Sequence, residues 1–338
     1  MRQFLLNLLT VTGTGLVLGA LAFFIYGLVE GDEEVVHPPT PTYPSEGVSE
    51  PPVASQPPST TPPVETPVAQ VSQKRWLGVT TSPWDTEEWQ REGLDLDAVA
   101  NYIAWSNNLP LEESNAEAER RGLMRFITWE PWLPARDNTH LRPPQPYYSN
   151  ARIAKGLHDR YIISMAKTLG AFEGRVFLRY AHEMEGAWYP WHYDAKSYIK
   201  AWQRIHDIFA RYAPNVYMVW SPNRALQVEK TDAWERRVRA YWPGADYVDY
   251  VGLTVIARKG RGMNYFAPRI EVLRNFGKPA ILSEVYVPSK GRLSFLQDLR
   301  HYVCGRTWIK GIVWSEGPNR PTLRTYGASD FDLLRGDC

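Results

Sequence analysis

In the stretch RYAHEMEGAWYPW, Arg179 to Trp191, an arginine, a histidine and a glutamate run directly into Trp188, Tyr189 and Trp191. Apolar surroundings raise a carboxyl pKa, so Glu183 set among such rings can stay protonated near neutrality and act as an acid. A second carboxyl comes from KPAILSEVYVP, Lys278 to Pro288, where an apolar run closes on Ser283 and Glu284. One carboxyl that donates a proton and one that attacks or activates water, flanked by flat rings that pack on the C–H faces of a sugar, suit glycosidic bond cleavage. Each glutamate also has a plainer reading. Glu183 could sit on an exposed loop, and Glu284 could cap a helix or join an ion pair. Side chains alternate along a strand, so Arg179, Ala181 and Glu183 are expected on one face and His182 on the other or down into the turn, with Ala280 and Leu282 inward beside Glu284.

Other chemistries find less support. His182-Glu183 lacks a second His four residues on, and neither Cys304 nor Cys338 belongs to a CxxC pair, so no metal site is expected. No GxSxG elbow occurs and neither cysteine ends a strand, which leaves acyl transfer poorly supported. No dinucleotide or phosphate loop follows any apolar run, and the cleavage chemistry needs no organic cofactor. The formal net charge of +1 conceals an asymmetry: before Lys74, Arg2 faces seven acidic residues, so the remainder carries 37 basic and 30 acidic groups, a net of +7. The basic residues are interleaved with acidic ones, and no nucleic-acid partner is implied.

Positioning these residues is the task of eight short apolar runs: Trp76 to Thr80, Ala98 to Trp105, Leu123 to Trp129, Val176 to Tyr180, Val216 to Trp220, Tyr247 to Val255, Ala280 to Leu282, and Ile309 to Trp314. Helical stretches separate most of them, among them Arg152 to Leu169, Ala195 to Tyr212, Asp232 to Tyr241 and Leu293 to Cys304. Strands alternating with helices call for a parallel sheet, and eight such units over 74–338 predict an α/β fold, a closed (β/α)8 TIM barrel. A doubly wound open sheet is the alternative. Active sites of such barrels lie just beyond the C-terminal ends of the strands. That rule nominates Asp85, Asn107, Asn108, Glu130, His182, Glu183, Asn223, Glu284, Trp314 and Glu316, while Trp220 reads as core and Glu185 as surface.

The first seventy-odd residues are of another kind. From Gln3 to Val29 no residue is charged, Arg2 precedes the stretch, and Glu30, Asp32, Glu33 and Glu34 follow it. Such a segment over 1–30 reads as a transmembrane helix, a retained signal anchor rather than a cleaved signal peptide, with the bulk of the chain extracytoplasmic, periplasmic or at the cell surface. Gly31 to Gln73 holds eleven of the 27 prolines and no tryptophan, and is expected to be an extended, disordered linker that lifts the domain off the membrane. The anchor and stalk also fit trimming of a self-made exopolysaccharide beside export machinery. Cys304 and Cys338 would, if bonded, pin the tail to the body.

The motif HEM-x-G-x-W-x-x-W within RYAHEMEGAWYPW resembles the acid/base motif of glycoside hydrolase family 26. ITWEPW at Ile127 to Trp132, VWSPN at Val219 to Asn223, PGADYVDYVGL at Pro243 to Leu253 and the Glu284 strand agree with it in order. The resemblance implies a (β/α)8 barrel and a retaining endo-acting hydrolase of β-linked polysaccharide, of the β-1,4-mannanase type above all, with β-glucan and xylan as alternatives. It implies Glu183 as general acid/base, Glu284 as nucleophile, and His182 as the partner beside the acid. Trp188 and Trp191 would border the sugar subsites, Trp314 would form the platform under the ring at the cleavage point, and Glu130 and Asn223 would bond sugar hydroxyls. Two positions depart from the pattern. Glu185 stands where the family commonly has Asn, and Ile256 where a Tyr hydrogen-bonds the nucleophile; Tyr286 or Tyr265 would have to substitute. Without such a donor the groove would suit a non-catalytic polysaccharide-binding protein instead.

Overall fold

The computed structural model describes residues 75–315 and 334, apart from 92, 107–109, 135–144, 193, 224–229, 258–260 and 288–291. The expected anchor and linker, and Asn107, Asn108, Glu316 and Cys338, lie outside them. No helix among the described residues is long and apolar enough to cross a membrane.

Eight parallel strands close into a barrel in chain order, which is the architecture the alternating pattern predicts. They are β1 (Trp76–Thr80), β2 (Ala98–Ala104), β3 (Met124–Glu130), β4 (Val176–Tyr180), β5 (Val216–Trp220), β6 (Tyr250–Ile256), β7 (Ala280–Tyr286) and β8 (Ile309–Trp314). Between them run α1 (Thr86–Arg91), α2 (Leu111–Arg120), α3 (Asn150–Ala154), α4 (Asp159–Gly170), α5 (Ala195–Tyr212), α6 (Thr231–Arg239), α7 (Met263–Leu273) and α8 (Arg292–Val303). The stretch expected as one helix over Arg152 to Leu169 is two, α3 and α4, separated by a turn. Helix α5 shows why its span was legible. Asp194 caps it by accepting from the Lys196 and Ser197 amides, a device worth about 1 kcal/mol. Tyr198, Ala201, Trp202, Ile205 and Phe209 then recur at the spacing of one buried face.

The interior of the barrel is layered by the period of two. Ala100, Phe126, Phe177, Val219, Ile281 and Val313 form an apolar layer, with Trp76, Tyr217 and Tyr250 against it. Two residues further toward the C-terminal ends, the same rows carry Tyr102, Thr128, Arg179, Ser221 and Ser283. The apolar layer thus serves as the floor of a polar one. Small residues let that upper layer connect: a Cβ on Gly252 would come within 3.0 Å of both Ser221 and Ser283. Across that gap Ser221 Oγ and Ser283 Oγ lie 2.7 Å apart, joining β5 to β7 past β6.

Two departures from regular strand decide where the carboxyls point. Strand β7 does not end at Leu282 but continues to Tyr286, with a register shift against β6 between Gly252 and Thr254 and against β8 between Leu282 and Val285. A bulge of this kind places two successive residues on one face. Ser283 and Glu284 therefore both face the interior, whereas Ala280 and Leu282 pack in the layer under the helices, opposite to the simple alternation. Strand β4 stops at Tyr180, and Ala181 and Glu183 take left-handed backbone angles, φ 41° and 54°. Non-glycine residues seldom adopt them, and the strain of order 1–3 kcal/mol each persists because surrounding hydrogen bonds hold the turn. The Ala181 amide donates to Trp129 O at 3.0 Å and the Glu183 amide to Ser221 O at 2.8 Å.

Candidate active site

Arg179 is the hub of the polar layer. Fully buried, it reaches four strands: Nη1 stands 3.2 Å from Glu284 Oε2 and 3.4 Å from Thr128 Oγ1, Nη2 donates to Thr254 Oγ1 at 2.7 Å, and Nε to Ser221 Oγ at 3.1 Å. Burial opposes its charge, but Tyr102, Glu284, Glu183 and Tyr189 together raise its pKa. The guanidinium stays charged and fixes Glu284 from below. From β2, Tyr102 is the second group on Glu284. Burial, then the Glu284 charge, holds its hydroxyl well above its usual pKa, and a side-chain hydrogen bond to Glu284 adds to the effect. The donor that Ile256 cannot supply from β6 thus comes from two other strands. Tyr265, one expected substitute, has the Arg261 and Arg269 guanidinium groups over its ring, and Tyr286 stands opposite Ile256 in the β6–β7 ladder.

Glu183 occupies the kinked turn beyond β4. One donor atom each from His182, Glu183 and Glu284 lie within 4.8 Å of one another. Of the two placements expected for His182, the opposite face and the turn, the second fits, because the left-handed backbone at Ala181 and Glu183 abandons strand alternation after Tyr180. Burial raises the Glu183 pKa, and the neighbouring charge of Glu284 raises it further; Arg179, Thr254 and Asn223 work in the opposite sense. Trp188 Nε1 donates to Glu183 Oε2 at 2.7 Å. The Trp188 ring reaches it by folding over Gly186, where a Cβ would lie 2.2 Å from the ring. Burial thus favours the protonated form of Glu183, while a guanidinium stands 3.2 Å from Glu284 Oε2, an asymmetry that suits two carboxyls in one pocket to different tasks.

His182 has both a lowered pKa, from burial first and the Arg179 charge second, and an Nδ1 without a hydrogen-bond partner. A neutral imidazole therefore stands beside Glu183. Its nearest carboxyl is Glu130, with Oε1 3.9 Å from Nδ1. Glu130 ends β3, accepts from Trp132 Nε1 at 3.1 Å, and burial pushes its pKa up to about 7. Tyr189 completes the group: burial, then the charges of Glu183, Glu130 and Glu284, hold its hydroxyl protonated. His182, Glu183 and Glu284 could each offer a ligand atom to a cation, yet Arg179 already supplies full positive charge at Glu284, which a cation at the same carboxylate would meet.

Three nominated aromatics are placed differently from one another. Trp188 is half-buried against Glu183. Trp191 is 1 % exposed, donates to His182 O at 2.8 Å and stacks under Tyr189 with ring centroids 4.3 Å apart, so it is a wall behind Tyr189 rather than a border open to sugar. Trp314 is 1 % exposed and pairs in register with Val79 and Val285 in the layer under the helices. The expected platform at the end of β8 is therefore not formed by Trp314: Val313 takes the interior position, and its neighbour must face outward. Asn223 reaches the site, as a hydrogen-bond partner of Glu183. Asp85 lies exposed in a 3-10 turn after β1. Trp220 is core, as expected, and donates to Tyr241 O.

The reading of Glu185 as a surface residue is overturned. It is buried, its Oε1 accepts the Asn223 amide at 2.9 Å, and burial pushes its pKa up to about 8. Among the groups the sequence did not single out are Tyr102, Thr254 and Ser221. The row Ala98, Ala100, Tyr102, Ala104 was the available signal for the first, since a lone tyrosine among alanines on an inward row must extend into the pocket. Cys304, after α8, is disulfide-bonded.

Residues 152–308 match the family model described as Glycosyl hydrolase family 26. The chain is 29 % identical over 228 residues to Endoglucanase H of Acetivibrio thermocellus, an alignment covering 62 % of this chain and 23 % of that protein. It is 35 % identical over 89 residues to Mannan endo-1,4-beta-mannosidase A and B of Caldalkalibacillus mannanilyticus, covering 23 % of this chain and 16 % of that one. Among solved structures, a Cellulomonas fimi endo-beta-1,4-mannanase double mutant superposes with a TM-score of 0.58 at 11 % identity, over 77 % of this chain and 71 % of the other, a likeness of fold. The chain thus spans about a quarter or less of the length of these two curated relatives. Both glutamates, Glu183 in the turn after β4 and Glu284 on β7, lie inside the residues that match the Glycosyl hydrolase family 26 model.

Proposed function

We propose that this protein is a retaining endo-β-glycoside hydrolase of a β-linked polysaccharide, mannanase-like, with Glu183 as general acid/base and Glu284 as nucleophile. The observation that carries the reading is the approach of a Glu183 oxygen to a Glu284 oxygen within 4.8 Å. Retaining enzymes hold their carboxyl groups about 5–5.5 Å apart, and inverting ones about 6.5–9.5 Å, to admit a water. In the first step Glu284 attacks the anomeric carbon while Glu183 protonates the departing oxygen; in the second, Glu183 takes a proton from water, which displaces Glu284. Neutral His182, the Tyr189 hydroxyl and the Glu130 carboxyl would bond sugar hydroxyls. A mannan is favoured by the name of one relative, and β-glucan and xylan remain substrates to be offered alongside it. The non-catalytic reading rested on Ile256, and Arg179 with Tyr102 at Glu284 removes that support.

Incubating the full-length chain with β-mannans, β-glucans and xylans is expected to release reducing ends from at least one, the first product having the β configuration by proton NMR. Glu183→Ala should lower kcat about 10²- to 10⁴-fold on that substrate. A product of inverted configuration, or binding with no cleavage of any polymer, would count against the assignment.

We further infer that the uncharged Gln3 to Val29 stretch anchors the chain and that the proline-rich linker holds the barrel extracytoplasmically. Trimming of a polysaccharide in transit, beside its export machinery, suits that arrangement. Cell fractionation should find the chain in the membrane fraction, with the barrel open to protease from outside the cytoplasmic membrane; a freely soluble cytoplasmic pool would contradict this.

A further inference from the structure

Glu185 is two residues past the acid/base and touches neither Glu284 nor Arg179 in any hydrogen bond of the described site, yet it is buried and bonded on several sides. Its Oε1 accepts the Asn223 amide at 2.9 Å, and its backbone oxygen accepts from Arg237 Nη1 at 2.6 Å. The Asn223 oxygen in turn accepts from Trp234 Nε1 at 3.0 Å. One loop carries Glu183 and the other follows β5; with the Glu183 amide on Ser221 O at 2.8 Å, the two are zipped together at successive positions. The other end of the link is functional, since the Asn223 side chain hydrogen-bonds Glu183 and favours its ionised form.

We propose that Glu185 is a positioning residue for the acid/base: its carboxyl holds the Asn223 backbone against the loop carrying Glu183, and so keeps the Asn223 amide on the Glu183 carboxyl. A buried amide left without an acceptor costs free energy, so the chain around Asn223 would move to find another and carry its side chain away. The groups facing Glu185 are Glu183 on its own loop, Arg237 and Trp234 of α6, and Tyr198 of α5 and Tyr241 after α6, whose hydroxyls feel its charge. Arg237 and Trp234 favour the ionised carboxyl; burial and Glu183 oppose it and prevail, which leaves Glu185 largely neutral at pH 7. Its Oε2 has no partner. A neutral carboxylic acid that acts through one accepting oxygen is closely copied by an amide, and that similarity makes the role separable from charge.

The test measures the titration midpoint of Glu183 by carboxyl carbon NMR in the full-length chain, together with kcat, KM and the alkaline limb of the pH profile. In Glu185→Ala the Glu183 midpoint and the alkaline limb should both rise by about one pH unit, the value of one lost hydrogen bond to the ionised form. The kcat should fall on the order of 10- to 100-fold with KM within about twofold, as expected when a reacting group is displaced rather than binding lost. Glu185→Gln should restore most of both. Asn223→Ala, with Glu185 intact, should reproduce the midpoint shift, which keeps the question open to decision if Glu185→Ala does not fold. A Glu183 midpoint unmoved in the alanine variants, or a Gln variant as displaced as the Ala one, overturns the proposal. The kinetic arm rests on the hydrolase reading and the NMR arm does not. Absence of turnover in the unmodified chain would defeat that reading while the midpoints still decide the role of Glu185.

Discussion

Glu284→Ala is expected to abolish turnover, with kcat down on the order of 10⁵-fold or more, the scale of losing a nucleophile from a site whose parts act as a unit. Among the described residues nothing nearby is placed to take over that role. In the proposed mechanism Glu183 is the proton donor, and Glu130, another buried carboxyl of the site, is divided between acid and carboxylate at neutral pH, with a pKa of about 7. Azide should restore part of the activity on a substrate with a good leaving group. It would attack the anomeric carbon from the side Glu284 vacated and yield the glycosyl azide of inverted configuration, while the leaving group takes the proton from Glu183. In Glu183→Ala the order is reversed: the glycosyl-enzyme forms on Glu284 and azide then displaces it, giving the azide of retained configuration. Opposite stereochemistry from the two variants would assign the roles. The same azide from both, or undiminished turnover in Glu284→Ala, would sink them.

Arg179→Met should be the most destabilising single change in the pocket. It removes four hydrogen bonds that tie β4 to β3, β5, β6 and β7, and it strips the Glu284 carboxylate of its 3.2 Å partner. Breaking a buried ion pair from one side costs about 3–5 kcal/mol, because the remaining charge is left unsolvated. That is a large share of the about 5–15 kcal/mol by which domains are stable. The penalty belongs to the orphaned charge, so removing it as well should recover stability. Arg179→Met combined with Glu284→Gln is expected to melt several degrees above Arg179→Met alone, a coupling that denaturant or thermal unfolding would measure. If Arg179→Met melts with the parent, or the second change adds to the damage, the guanidinium is not the hub described here.

How much of this was legible beforehand can be judged from particular residues. Eight apolar runs alternating with helices were enough for the barrel, because strand and helix periodicities are local properties and a parallel closed sheet is the packing that buries both. The Ala195 to Tyr212 helix was legible to the residue, its cap and apolar stripe being written in adjacent positions. The motif around Glu183 and the strand carrying Glu284 named the two carboxyls. Where alternation was extended past the regular strand it misled. It brought Ala280 and Leu282 inward, and the register shift in β7 reverses that.

From the chain of residues alone came the number of strands and the closed parallel barrel they form, because strand and helix patterns depend on near neighbours in sequence. Tertiary structure alone decided that Ser283 and Glu284 share a face across a bulge and that Glu183 bends into the pocket on a left-handed turn. It also decided that Tyr102 and Arg179 supply what Ile256 lacks, and that Glu185 is buried against Asn223. Those outcomes turn on which strand lies alongside and how its register slips, and the desolvation that tunes each acid exists only once distant segments have closed over it.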